Sequence, residues 1–120
     1  MAFNTFILEM DILWDWVKPF KVGVSLIKFL RKKGKQILLL TDISLYPKKK
    51  IIQLLKNGGM EFKESELITS MDVIAEFLFL KRAKIWTIGN GLKEELKSRG
   101  IEISENPEYL VIGDSLNVSA

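Results

Sequence analysis

A run of four apolar residues, Ile37 to Leu40, constrains the fold of this chain more than any other segment. The run has the length of a β-strand, and because no polar residue alternates with the apolar ones, it needs cover on both faces. Parallel sheets provide that cover, since the helices that connect their strands pack on both sides. The run therefore predicts a buried strand in a parallel α/β sheet.

Strand and helix patterns alternate along the rest of the 120 residues, without a linker or an internal repeat. They predict strands over 6–10, 36–40, 66–69, 84–88 and 109–112, and helices over 22–33, 71–80 and 92–99, with one more helix from Pro47 to before Gly58. Residues 14–20 should form a loop, and Gly89-Asn90-Gly91 a tight connection rather than an anion cradle. This order predicts a mostly parallel, Rossmann-like sheet of about five strands flanked by helices.

The composition favours one globular domain and limits the available chemistry. Hydrophobic residues make up 48% of the chain, and there is no histidine or cysteine, so catalysis would rest on carboxylates, hydroxyls and lysines. The start of the chain lacks a signal-peptide pattern and the apolar runs are of strand length, so we expect a cytoplasmic protein without membrane association. Abundant lysine, isoleucine and leucine without cysteine is compatible with a thermophile.

Two acids, Glu9 and Asp11, stand one residue apart at the end of the first predicted strand. Because strand side chains alternate between faces, we expect both on one face, with Met10 opposite. Ligands of parallel sheets gather at the carboxyl ends of strands, which also brings in Thr41 and Asp42. Such acids can hold Mg²⁺ or divide the roles of nucleophile and proton donor. The alternative is structural: Asp11 as a surface residue, and Glu9 satisfied by backbone amides.

Several segments, in this order along the chain, resemble one known family. They are FILEMD at 6–11, LLLTDIS at 38–44, ITSMDVIAEFL at 68–78, WTIGNGLKEEL at 86–96 and PEYLVIG at 107–113. Together they resemble the haloacid dehalogenase superfamily, specifically its nitrophenylphosphatase or NagD-like branch. The resemblance implies a haloacid dehalogenase-like α/β domain over 1–120, with 1–80 as a core-like half and 81–120 as the start of a cap domain.

The resemblance also implies roles for individual residues. Glu9 stands where the family has its aspartate nucleophile, Asp11 matches the acid/base aspartate, and Thr41 matches the hydroxyl that binds the transferred phosphoryl group. Glu9 and Asp11 are likewise the candidate Mg²⁺ ligands. Asp42 takes a phosphate-binding position where the family has a neutral polar residue, and Ile12 replaces a small glycine.

Departures from the family pattern predict weak catalysis. The extra methylene of Glu9 displaces the attacking oxygen, and about 1 Å of misplacement can cost on the order of 10²-fold in rate. The family's later lysine and final acidic Mg²⁺ ligands have no counterpart here, which weakens charge stabilisation at the phosphoryl group. We therefore expect a truncated, catalytically degenerate member that works as a binding or oligomerising module. The alternative is a Mg²⁺-dependent phosphatase that takes a small phosphorylated ligand.

The truncation would leave one side of the first strand open, and an open apolar edge favours association. Either the fourth or the last predicted strand moves in beside it and gives a single five-stranded sheet, or a second copy of the chain covers it. We expect the second arrangement, a homodimer.

Basic residues concentrate in the middle of the chain. Residues 18–63 hold twelve lysines and arginines against two acids, a local charge of +10, whereas the whole chain carries +3. One cluster, Arg31, Lys32 and Lys33, fits the last turn of a helix, where the dipole favours cations. The other cluster, Lys48, Lys49 and Lys50, lies near a helix start and is the better functional candidate. Binding of nucleic acid or another anionic partner is therefore a second alternative, which the small overall charge does not strongly favour.

Overall fold

Parallel strands that alternate with helices make up the fold over residues 3–115, the part of the chain that this computed structural model describes. The strands are β1 (Thr5–Glu9), β2 (Gln36–Thr41), β3 (Leu67–Thr69), β4 (Lys84–Ile88), β5 (Glu102–Ile103) and β6 (Tyr109–Ile112). The helices are α1 (Lys21–Lys32), α2 (Lys48–Asn57), α3 (Ser70–Lys81) and α4 (Asn90–Ser98), with 3₁₀ turns at Met10–Ile12 and Glu64–Glu66. The predicted α/β class with parallel strands is confirmed.

Contacts divide these residues into two compact units. The first contains residues 3–41 and 50–68, and the second contains residues 42–49 and 69–115. The strands number six, in two sheets of three, where about five were expected, and the less favoured alternative of a single five-stranded sheet is not found among residues 3–115. The reason is that β4 has β5 on one side and β6 on the other, which uses both of its edges. The family-based division into 1–80 and 81–120 within one domain stays a prediction.

The first sheet runs in the order β1-β2-β3. β1 and β2 are parallel, paired from Thr5 with Gln36 to Glu9 with Leu40. In β2, Ile37 and Leu39 are buried, at 1% and 0% exposed, and Leu38 and Leu40 are half-buried. Because the two strands are parallel and adjacent, the ends of β1 and β2 lie at the same edge of this sheet.

The second sheet has β4 at its centre, parallel to both β5 and β6. Ile85 and Thr87 of β4 are buried on the face where α4 packs, together with Leu92 of that helix. Trp86 and Ile88 point to the other face and are 43% and 40% exposed. One face of this sheet is therefore core, while the other is partly open to solvent.

The turn between β4 and α4 depends on its two glycines. Gly89 has a φ of +111°, a backbone conformation that L side chains rarely adopt. A Cβ atom on Gly91 would lie 2.3 Å from the carbonyl oxygen of Leu45. This geometry favours the tight connection expected from the sequence. No helix within residues 3–115 is long and apolar enough to cross a membrane.

Candidate active site

The two candidate acids at the end of β1 do not both belong to the strand. β1 ends at Glu9, and Met10–Ile12 forms a 3₁₀ turn in which Met10 is buried. Oε1 of Glu9 accepts a hydrogen bond of 3.0 Å from the backbone N–H of Asp11 and thereby caps the turn. Asp11 therefore lies in the 3₁₀ turn and not in the strand, so the strand alternation from which we expected both acids on one face does not extend to it.

Asp11 is oriented by two buried side chains of the first unit. Oγ1 of Thr41 donates a hydrogen bond of 2.6 Å to Oδ1 of Asp11, and Nε1 of Trp14 lies 3.5 Å from the same oxygen. Thr41 is 5% exposed and Trp14 is 2% exposed, so rigid neighbours hold a half-buried carboxyl group. The structure thus brings Asp11 and Thr41 together, while their catalytic and phosphate-binding roles stay predictions.

Trp14 lies beside the candidate site, although its sequence context predicts only a loop. Its backbone forms an isolated antiparallel bridge with Pro19, and its side chain is buried. Trp16, in the same loop, is 41% exposed and has a positive φ of 69°. The only sequence signal for the contact of Trp14 with Asp11 is their separation of three residues, which matches a single tight turn.

The donor chemistry of Glu9 and Asp11 fits Mg²⁺. Glu9 is exposed and Asp11 is half-buried, and proteins commonly hold this ion through one or two carboxylates, with water and phosphate oxygens as the other ligands. Among residues 3–115 there is no group of three or more acidic, histidine or cysteine residues that could hold a metal ion. The described residues would therefore supply two carboxylate ligands at most at this position.

Asp42 is exposed and belongs to the second unit. Its carbonyl oxygen accepts a hydrogen bond of 3.2 Å from Oγ of Ser70. Two residues later, the backbone N–H of Ser44 donates a 2.8 Å hydrogen bond to Oδ2 of Asp114, which fixes this segment. The predicted phosphate-binding role of Asp42 stays a prediction.

Each basic cluster contributes one member to an ion pair. Both terminal nitrogens of Arg31 donate to the carboxylate of Glu66, at 2.8 and 2.5 Å, and this pairing lowers the pKa of Glu66. Nζ of Lys48 lies 3.1 Å from Oδ2 of Asp72. The other four members of the two clusters are exposed: Lys32, Lys33, Lys49 and Lys50. A joint anion-binding role for the clusters stays a prediction.

The second unit also contains a charged network that forms no sequence motif. Asp72 accepts hydrogen bonds from the backbone N–H of Thr69 at 2.7 Å, from Nζ of Lys48 at 3.1 Å and from the guanidinium of Arg99. Glu95 is 7% exposed and accepts from the backbone N–H of Lys48 at 2.7 Å and from Nε of Arg99 at 2.6 Å. The spacing of Glu95 and Arg99, four residues on one helical face, is the only sequence signal for it.

Charges in this network compensate one another. Burial raises the pKa of Asp72, but the hydrogen bonds from Thr69, Arg99 and Lys48 outweigh it, and the net pKa lies below the usual value. Burial lowers the pKa of Arg99, while its hydrogen bonds with Asp72 and Glu95 raise it more. Asp72 and Arg99 therefore stay ionised at neutral pH, which suits a structural role.

Comparison with known proteins decides the family. A model of the haloacid dehalogenase-like hydrolases matches residues 6–102. The chain belongs to that family. The sugar-phosphatase AraL of Bacillus subtilis is 30% identical over 92 residues, which are 72% of this chain and 34% of AraL. The chloroplastic phosphoglycolate phosphatase 1A of Arabidopsis thaliana is 27% identical over 111 residues, 88% of this chain and 31% of the relative.

Solved structures agree with this assignment. The p-nitrophenyl phosphatase from Archaeoglobus fulgidus has a TM-score of 0.80 and 28% identity, covering 98% of this chain and 47% of that one. The predicted nitrophenylphosphatase or NagD-like branch of the haloacid dehalogenase family is therefore confirmed. This haloacid dehalogenase-like chain spans about a third of the curated relatives it matches and about half of the solved structure.

Proposed function

We propose that the chain provides the catalytic carboxylates of a Mg²⁺-dependent phosphatase that hydrolyses small organic phosphate monoesters. The observation that carries the proposal is the hydrogen bond from Thr41 to Asp11, which joins a hydroxyl and a carboxyl group where two paired parallel strands end. Membership of the haloacid dehalogenase-like hydrolases supports it, as do relatives named as phosphatases. For these reasons we prefer a phosphatase to the degenerate binding module that the motif departures predict.

The proposed reaction has two steps. The Glu9 carboxylate attacks phosphorus and forms an acyl phosphate, while the bond to the leaving oxygen breaks and Asp11 gives that oxygen a proton. Asp11 then takes a proton from water, whose oxygen attacks the same phosphorus and releases inorganic phosphate and the Glu9 carboxylate. Attack through Oε2 leaves the bond from the Asp11 N–H to Oε1 in place.

Two other groups would assist these steps. Thr41 orients Asp11 in the free chain, and with substrate bound its hydroxyl would donate to a phosphoryl oxygen in place of Oδ1 of Asp11. Mg²⁺ held by the Glu9 carboxylate and by phosphoryl oxygens would neutralise charge on the phosphoryl group, and Asp11 would serve as a ligand only in its deprotonated form.

Hydrolysis of p-nitrophenyl phosphate by the purified chain, with and without Mg²⁺, tests the proposal. We expect a metal-dependent rate that falls about 10²- to 10⁴-fold in Asp11→Asn, because the general acid is lost, and to background in Glu9→Gln. Glu61→Gln changes an exposed carboxylate of the same unit and should leave the rate unchanged. Equal rates in the unchanged chain and in both active-site variants would overturn the proposal.

A further inference from the structure

Residues 13–20, which connect the candidate site to α1, form a closed loop, here called the 13–20 hairpin. The backbone N–H of Phe20 donates to the carbonyl oxygen of Leu13 at 2.8 Å, and the N–H of Asp15 donates to that of Lys18 at 3.0 Å. These two bonds flank the isolated antiparallel bridge in the middle of the loop. Two backbone hydrogen bonds therefore join the outgoing arm of the hairpin to the returning arm.

A carboxylate closes the tip of the 13–20 hairpin. Oδ1 of Asp15 accepts hydrogen bonds from the backbone N–H groups of Val17, at 2.9 Å, and of Lys18, at 2.7 Å. In many four-residue turns, the N–H of the fourth residue donates to the carbonyl oxygen of the first. Here it donates to the side chain of the first residue, Asp15. The N–H groups of Lys18 and Val17 also lower the pKa of the Asp15 carboxyl, which therefore stays ionised at neutral pH.

The closed tip holds a backbone conformation that tryptophan does not favour. Trp16 has a φ of 69°, in the left-handed region that residues other than glycine, asparagine and aspartate rarely adopt. Such a conformation costs free energy and persists where surrounding contacts fix it. The two hydrogen bonds to the Asp15 carboxylate are contacts of this kind, because their donors follow Trp16 directly along the chain. We therefore expect the tip to lose its shape when the carboxylate is removed.

Both arms of the 13–20 hairpin are fixed within the first unit. A Cβ atom on Gly58, just after α2, would lie 2.1 Å from Cδ of Pro19, so the returning arm packs directly against the backbone there. At the start of the outgoing arm, the N–H of Leu13 donates at 2.8 Å to the carbonyl oxygen of Met10. Met10 is the first residue of the 3₁₀ turn that contains Asp11. The hairpin is therefore continuous with the turn that carries the candidate general acid.

We propose that Asp15 is a positioning residue of the candidate active site and acts on Asp11 through the 13–20 hairpin. Its carboxylate closes the tip, and the closed hairpin fixes the backbone of Trp14. The buried indole of Trp14 places Nε1 3.5 Å from Oδ1 of Asp11. Loss of the Asp15 carboxylate should therefore loosen the turn that holds Asp11 without removing a reacting group. The effect on catalysis rests on the proposed phosphatase function, whereas the coupling of Asp15 to Trp14 does not.

Two substitutions of Asp15 separate the turn from the charge. Asp15→Ala removes the acceptor, whereas Asp15→Asn keeps an acceptor oxygen and removes the charge. With p-nitrophenyl phosphate, we expect kcat to fall about 5- to 10-fold in Asp15→Ala at unchanged KM, and to stay within about 2-fold in Asp15→Asn. Glu66→Ala is the matched control, because Glu66 also accepts from a backbone N–H within a turn of the first unit, that of Lys63. It should leave kcat unchanged.

The indole N–H resonance of Trp14 in the NMR spectrum supplies a readout that needs no activity. The chain has three tryptophans, and single phenylalanine substitutions assign their three indole resonances. In Asp15→Ala we expect the Trp14 resonance to shift and its exchange with solvent to quicken about 10-fold, at an unchanged far-ultraviolet spectrum. Asp15→Asn and Glu66→Ala should show neither change. Gly58→Ala, which displaces the returning arm through Pro19, should reproduce the effects of Asp15→Ala without a change of charge.

Three results would overturn the positioning role of Asp15. They are a Trp14 resonance that is the same in Asp15→Ala as in the unchanged chain, equal losses of kcat in Asp15→Ala and Asp15→Asn, and an equal loss in Glu66→Ala. A chain without phosphatase activity would contradict the proposed function instead. The Trp14 resonance would then decide by itself whether Asp15 fixes the 13–20 hairpin beside Asp11.

Discussion

The carboxylates at the end of β1 and those of the second unit have opposite kinds of partners. Asp72 and Glu95 accept hydrogen bonds from the Arg99 guanidinium, and Asp72 also from the Lys48 ammonium. Asp11 accepts from the hydroxyl of Thr41 and lies near the indole of Trp14. Glu9 accepts from a backbone N–H and is exposed.

This difference separates structural carboxylates from candidate reactive ones. A carboxylate that is paired with a cation inside a network has its charge compensated, and it joins the segments that carry the two partners. A carboxyl group oriented by hydroxyl and amide donors is held in a defined position in which it can bind a metal ion, transfer a proton or attack phosphorus. The same kind of substitution should therefore have different effects in the two sets. At Glu9 and Asp11 it should change activity, and at Asp72 and Glu95 it should change stability.

The largest effect is expected from shortening the candidate nucleophile. Glu9→Asp moves the attacking oxygen by roughly one bond length to where the family has its aspartate, and we expect kcat for p-nitrophenyl phosphate to rise by up to about 10²-fold. Glu95→Asp makes the same change in the second unit and should not raise kcat. A Glu9→Asp rate at or below that of the unchanged chain would show that nucleophile position does not limit the reaction.

Much of the fold follows from the sequence because hydrophobic period and glycine position are local signals. The run at Ile37 to Leu40 predicts β2, and Gly34, with a φ of +68°, marks the end of α1. The two-residue β5 is too short to show a period, so the number of strands beside β4 was not predictable. The division of the strands into two sheets follows from the pairing of β4 with β5 and β6, and such pairing depends on the assembled tertiary structure.

The candidate site was predictable in its residues but less so in its geometry. The meeting of Asp11 with Thr41 follows from strands that end at one edge. The cap by Glu9 does not, because a side chain that bonds its own turn competes with strand extension, and alternation cannot reveal it. Contacts between distant segments, such as Asp72 with Arg99, depend on the assembled fold.

A smaller effect, on stability rather than activity, is expected from Asp72→Asn. The change leaves the partly buried Lys48 without its carboxylate partner and Arg99 with Glu95 alone, which should lower the free energy of unfolding by about 2 kcal/mol. Urea denaturation measures it. Glu102→Gln is the matched control, because its carboxylate is exposed and 3.9 Å from Nζ of Lys84, and it should change stability by less than about 0.5 kcal/mol.

Acid should remove the difference between the unchanged chain and Asp72→Asn. The pKa of Asp72 is lower in the folded state than the ordinary 3.8, so the folded state binds fewer protons than the unfolded state in this range. The stabilisation is therefore complete above the ordinary pKa and is lost as pH falls through the folded one. A difference in unfolding free energy that stays constant on acidification below this range would contradict the assignment.

The smallest effect is expected from Trp14→Phe, which tests how much the indole contributes to orienting Asp11. The separation of 3.5 Å is long for a hydrogen bond, and phenylalanine keeps most of the buried ring, so we expect kcat to fall only about 2- to 3-fold. Thr41→Val removes the 2.6 Å bond to the same oxygen and should cost about 10-fold or more. Equal losses in the two variants would mean that Asp11 is positioned by the packing of the whole turn rather than by the Thr41 hydroxyl. Asp11 could then not be classed as a reactive carboxylate that is distinct from the structural carboxylates Asp72 and Glu95.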